Sequence, residues 1–258
     1  MAAAASSRGR TRGGRCCGRD SAESPLEISA TFRYGLQSAN LEGMDDTPAS
    51  HSVSMVRDDL STRLIHFTRG GTDQEAASKF LSIFNDKKLL GSNQDIRGGY
   101  RCVCFTEAPV SKFAQVLAVP GQLGMRYRPF GVMVDKSWLF DHGGRPAIYQ
   151  PESEFELLHE SQRFRHMRYQ PGKTDYTWER EWRIRADEIE LPPEKITLVV
   201  PTRDWADWAK DRHAARVATS AMVLQGLIGS CAKFPWHFLV LEDLGVEIPG
   251  GVAPPAIS

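Results

Sequence analysis

The strongest constraint on the fold is a set of short apolar runs at residues 64–68, 100–106, 130–134, 196–200 and 236–241. Each is rich in β-branched or aromatic side chains and too short for a buried helix, so each reads as a strand. Helical patterns fall between some of them, without regular strand–helix alternation. Thr72-Asp-Gln-Glu75 fits a capping box, and Ala76, Ala77, Phe80, Leu81 and Phe84 follow at helical spacing, with Leu89-Leu90-Gly91 as the stop. Further helices are expected over 110–118, 152–162 and 204–227, and a further strand over 163–169. The order predicts an α+β fold: a single mixed domain with a central, largely antiparallel sheet flanked by helices.

Composition sets the limits of that domain. The first 19 residues carry five arginines and no acid, with many Ala, Ser and Gly and no apolar periodicity. Residues 1–54 are therefore expected to be a disordered leader, transit-peptide-like in composition, or the product of a misassigned start, with Met55 or Met44 as the alternative beginning. The domain is expected over 55–245, and 246–258, with Gly-Gly and Pro-Pro, as a flexible tail too poor in apolar residues to pack. With 32 basic and 32 acidic residues the formal charge is zero, which argues against a basic nucleic-acid clamp. It also weakens a nuclease built on His66 and Glu181. No apolar run approaches the roughly 18 residues that span a bilayer, so a cytoplasmic protein without membrane contact is expected. The five cysteines lack metal-ligand spacing, so no metal site is expected. Cys102 and Cys104 read as core-lining thiols of a reducing compartment.

Chemistry concentrates in Tyr176-Thr-Trp-Glu-Arg-Glu-Trp-Arg-Ile184. At a strand period of two, Glu179, Glu181, Arg183 and Arg185 share one face, and Trp178, Arg180, Trp182 and Ile184 the other. Two carboxylates on one face raise the pKa of at least one of them, and the arginines soften the repulsion. The plain alternative is a half-buried strand with a solvated charged face. His66 on the first strand is either a packed structural histidine or a ligand-binding one. Glu107 reads as an acid at a helix start. Arg145 and Tyr149, after two glycines, are either ligands of an anion or a ring or ordinary loop residues.

His-Phe-Thr68 on a first strand, a helix ending near Lys-Leu-Leu-Gly91, Val103-Cys-Phe-Thr-Glu107, and late Glu-Arg-Glu-Trp-Arg183 together resemble the AbiGi family of abortive phage resistance proteins. The resemblance runs from about residue 64 to 201. It implies a phage-defence or toxin–antitoxin role, with a cognate toxin or antitoxin as partner. More distantly the chain resembles ADP-ribosyltransferases of the DarT type. That likeness implies an ADP-ribosyltransferase-like fold, NAD as substrate, and a nucleic acid or protein as target. Carried onto this sequence, it makes Glu181 the catalytic acid with Glu179 as the alternative. His66 and Thr68 would bind NAD, Arg63 or Arg69 would pair with its pyrophosphate, and Tyr149 or Tyr169 would stack on nicotinamide. The alternative it leaves open is a non-catalytic antitoxin or sensor with a degenerate pocket.

Overall fold

The computed structural model describes residues 60–118, 127–223, 233–246, 248 and 251–256. The leader expected over 1–54 lies outside these residues, as does Met55. What is described is α+β, built on a mostly antiparallel seven-stranded sheet.

In chain order the elements begin with strand β1 (Arg63–Arg69), helix α1 (Asp73–Asp86), β2 (Lys88–Leu90), β3 (Cys102–Thr106), α2 (Val110–Ala118) and β4 (Tyr127–Asp135). Then come α3 (Lys136–Asp141), β5 (Arg145–Pro146), β6 (Ile148–Gln150), α4 (Glu160–Arg163), β7 (His166–Arg168) and β8 (Glu181–Arg185). The remaining elements are β9 (Glu188–Glu190), β10 (Thr197–Val200), α5 (Arg203–Val223) and β11 (His237–Val240). The main sheet runs β11-β10-β4-β1-β3-β8-β5, with β10 and β11 parallel and its other neighbours antiparallel. Two ribbons stand apart from it, antiparallel β2-β9 and parallel β6-β7.

Alternation along the strands divides the core into two layers. Leu64, Phe105, Phe130, Val132, Trp182 and Leu198 face the side covered by α1 and α5, where Phe80 and Phe84 meet Trp205 and Trp208. Ile65, Phe67 and Val199 face α2 through Phe113 and Leu117. Because both faces are covered, the strands read as continuous apolar runs. Gly131 lets β4 lie close to β1, since a Cβ there would stand 2.4 Å from the His66 carbonyl oxygen.

Several boundaries differ from the expected ones. The Thr72 cap forms, its hydroxyl accepting from Glu75 N–H at 3.2 Å. The reciprocal bond goes one residue further back, with Gly71 N–H donating to Glu75 Oε2 at 2.8 Å. α1 stops at Lys87, which takes the left-handed conformation at φ 55°, and the Leu-Leu that follows belongs to β2. The helix expected over 152–162 is instead a 3₁₀ turn (Glu152–Leu157) followed by one turn of α4, with Phe155 its one buried side chain. Only His166–Arg168 of the strand expected over 163–169 forms. The segment past Gly245 is not an unpacked tail where it is described. Val246 is buried, and the Val252 carbonyl accepts from Trp205 Nε1 at 2.6 Å. No helix among the described residues is long and apolar enough to cross a membrane.

Candidate functional site

The site begins with a break in the sheet. β1 and β4 pair along most of their length, but β1 and β3 pair only where Ile65 stands opposite Thr106. β3 continues in register with β8, placing Thr106 opposite Glu181 and Cys104 opposite Arg183. A cleft of about 450 Å³ lies here, lined by His66, Thr68, Arg69, Cys104, Tyr127 and Glu181, with Ser82 and Ile83 of α1 on the flank. A second cleft, of about 750 Å³, adjoins it and is lined by Gly70, Gly71, Glu75, Arg97, His166, Arg168, Tyr176 and Glu179. Arg69, Lys79, Gln94 and Tyr127 line both.

The His66 ring fills the gap between the strands. Its Nδ1 lies 2.8 Å from the Cys104 carbonyl oxygen. A carbonyl only accepts, so Nδ1 carries the proton and Nε2 is the acceptor. Burial lowers the His66 pKa to about 4, so the ring is neutral at physiological pH. The Thr68 hydroxyl donates to the Phe130 carbonyl at 3.1 Å, so this expected binding residue fastens β1 to β4.

The two glutamates do not share a strand face. β8 starts at Glu181. Glu179 ends a 3₁₀ turn (Thr177–Glu179), and Arg180 between them is left-handed at φ 47° and ψ 53°. That conformation breaks the period of two and turns the acids toward different clefts, Glu181 to the first and Glu179 to the second. It also separates the tryptophans. Trp182 enters the core under α1, while Trp178 packs on Phe113 of α2 at 5.7 Å.

Each carboxylate has its own partner. Glu181 is gripped by Arg183, Nε to Oε1 at 2.9 Å and Nη2 to Oε2 at 3.0 Å. Glu179 Oε2 accepts from the Tyr127 hydroxyl at 2.8 Å, and that hydroxyl accepts from Arg69 Nη2 at 3.0 Å. Burial raises the Glu179 pKa and the nearby Glu181 charge adds to it, against the opposing effect of the Tyr127 hydrogen bond and the arginines. The Cys104 thiol is held well above its usual range by burial and by the Glu181 carboxylate, which makes it a wall and no nucleophile.

The remaining candidates take structural places. The Tyr149 hydroxyl accepts from Glu181 N–H at 2.9 Å, fixing the start of β8, and it lines neither cleft. Burial pushes its pKa up to about 12. Tyr169 lines neither cleft and pairs through its backbone N–H with Gln150 O at 3.0 Å. Arg145 donates to Phe140 O and Gly144 O and stacks over Phe140. Arg63 pairs with Asp135, away from the site. Glu107 is buried and accepts from Trp182 Nε1 and Lys136 Nζ, so it ties β3 to β8 and α3 and does not cap a helix. An aromatic shared by both clefts is Tyr127, which begins β4 three residues before the apolar run at 130–134.

No family model, no curated protein and no solved structure matches this chain. Among the described residues, no group of three or more His, Cys, Asp or Glu side chains is arranged to hold a metal ion.

Proposed function

We propose that this chain is an NAD-dependent ADP-ribosyltransferase-like enzyme, with an ADP-ribosyltransferase-like arrangement of its α+β domain. The observation that supports it is one cleft lined by His66, Arg69 and Glu181, brought together across strands far apart in sequence. The cleft falls within the roughly 300–1,000 Å³ usual for small-molecule sites. Its neighbour extends it past the cations Arg69 and Lys79, an arrangement suited to a long ligand with a charged middle.

NAD would supply a glycosidic bond whose cleavage develops positive charge on the ribose. Glu181, fixed by Arg183 and Tyr149, would oppose that charge from a rigid position. Neutral His66 would accept a hydrogen bond from a ribose hydroxyl at Nε2, and Arg69 would meet the pyrophosphate. Glu179, whose raised pKa favours proton uptake, would take the proton of the incoming acceptor. Nicotinamide leaves with the bond electrons, and the acceptor bonds to the ribose carbon. The setting in phage defence, and a cognate toxin or antitoxin as partner, are inferred from the motif resemblance alone.

Thermal unfolding with and without NAD tests the binding step. At a concentration a hundredfold above Kd, binding adds about 2.7 kcal/mol, a rise of roughly 5–10 °C for a chain of this size. The rise should vanish in His66→Ala. Absence of a shift in the unmodified protein would end the proposal.

One observation favours a second reading. Both Glu181 carboxylate oxygens are engaged by Arg183 and the residue is only 4% exposed, as in a structural ion pair. A non-catalytic antitoxin or sensor with a degenerate pocket would have this feature. It would neither bind nor cleave NAD, and would co-purify with a partner protein.

A further inference from the structure

Tyr127 stands at the seam of the two clefts and holds the acid of the second. It lines both clefts, whereas Glu181 lines only the first and Glu179 only the second. Its ring is set edge-on against Phe113 at 5.3 Å and Phe67 at 6.3 Å, in the core layer under α2. The Arg69 guanidinium lies over the ring at 5.0 Å. A phenol anchored in this way has little freedom, so its hydroxyl is fixed between the Arg69 donor and the Glu179 acceptor.

We propose that Tyr127 is a positioning residue for the transfer step, holding the Glu179 carboxylate at the seam between the clefts so that it meets an acceptor entering the second one. This rests on the transferase reading above. The second cleft is then the acceptor's entrance, and the first the place where the glycosidic bond is broken. Glu179 receives the acceptor proton on the oxygen not bound by Tyr127. Arg69, donating to the same hydroxyl, orients its proton toward Glu179. The titratable and charged groups facing Glu179 are Tyr127 from β4, Arg69 from β1, and Glu181 and Arg183 from β8.

Tyr127→Phe tests it, because the ring keeps its packing and only the hydroxyl is lost. The KM for NAD should stay within about twofold, while kcat falls by roughly tenfold or more, less than the roughly hundredfold minimum for losing a general base outright because the carboxylate remains. The Tyr127 hydrogen bond lowers the Glu179 pKa, so its removal moves the acid limb of the kcat profile to higher pH. Carbon-13 NMR of the glutamate carboxyls gives a readout independent of turnover. The resonance missing from Glu179→Gln should titrate at higher pH in Tyr127→Phe than in the unmodified protein. An unmoved resonance, or an unchanged kcat, would overturn the role of Tyr127 alone. An unmodified protein that cleaves no NAD would instead overturn the transferase reading and this proposal with it.

Discussion

Arg183 stands two residues from Glu181 on one face of β8 and binds both of its carboxylate oxygens, while its Nη1 reaches back to the carbonyls of Phe164 and His166 at 3.1 and 2.7 Å. One guanidinium thus joins the acid of the first cleft to the strand β7 that walls the second. Arg183 is 1% exposed, so its loss strands a buried carboxylate and two buried carbonyls. Arg183→Leu should therefore destabilise the fold by about 3–5 kcal/mol, read from urea unfolding at neutral pH. A change below about 1 kcal/mol would mean that the fork contributes little.

His66 gives the fold a dependence on acid. Its pKa falls from 6.5 when exposed to about 4 in the folded chain, so the unfolded state binds more protons between these values. Stability from this group is intact above pH 6.5 and declines as pH falls toward 4, by about 3 kcal/mol in all. His66→Gln should flatten that part of the curve. Unfolding free energies of both proteins at pH 7, 5.5 and 4 decide it, and parallel curves would refute it.

Glu179 has the opposite sign. Its pKa is raised in the folded chain, mainly by burial, so ionisation costs stability as pH rises through and above the ordinary carboxylate range. Glu179→Gln keeps an acceptor for Tyr127 and removes the buried charge. The melting temperature at pH 7 should rise while transfer to an acceptor falls. A lower melting temperature would show that the carboxylate is needed for packing.

Gly131 is expected to tolerate no side chain. Gly131→Ala puts a Cβ against the His66 backbone, and shifting β1 should cost about 1–3 kcal/mol. The displacement would also weaken the NAD-dependent thermal shift, because His66 moves with its strand. Unchanged stability would show that β1 and β4 can separate without cost.

Much of the sheet was legible because the strands are buried on both faces, which leaves continuous apolar runs such as Thr197–Val200 in plain view. Residues 176–184 misled for a local reason. Arg180 takes a left-handed conformation that Gly or Asn normally marks, and nothing in the sequence signals it. The alternation read there holds only from Glu181 onward. Tyr127 lies outside the apolar run at 130–134 that marks β4, and Tyr149, expected at the ligand, instead holds the Glu181 backbone. That Glu179 and Glu181 open onto separate clefts depends on how β1, β3 and β8 come together, and no spacing of residues carries that information.

Nicotinamide release from NAD, compared between the unmodified protein and Glu181→Gln, decides whether Glu181 is catalytic. Binding of NAD by the variant, seen as a thermal shift, verifies that its cleft remains formed, and Glu181→Asp shows whether charge alone is enough. The unmodified protein should release nicotinamide, and Glu181→Gln should lose roughly a hundredfold or more of that rate, the scale of removing one preorganised electrostatic group. Release at the same rate from Glu181→Gln, or none from the unmodified protein, would contradict a catalytic role for Glu181.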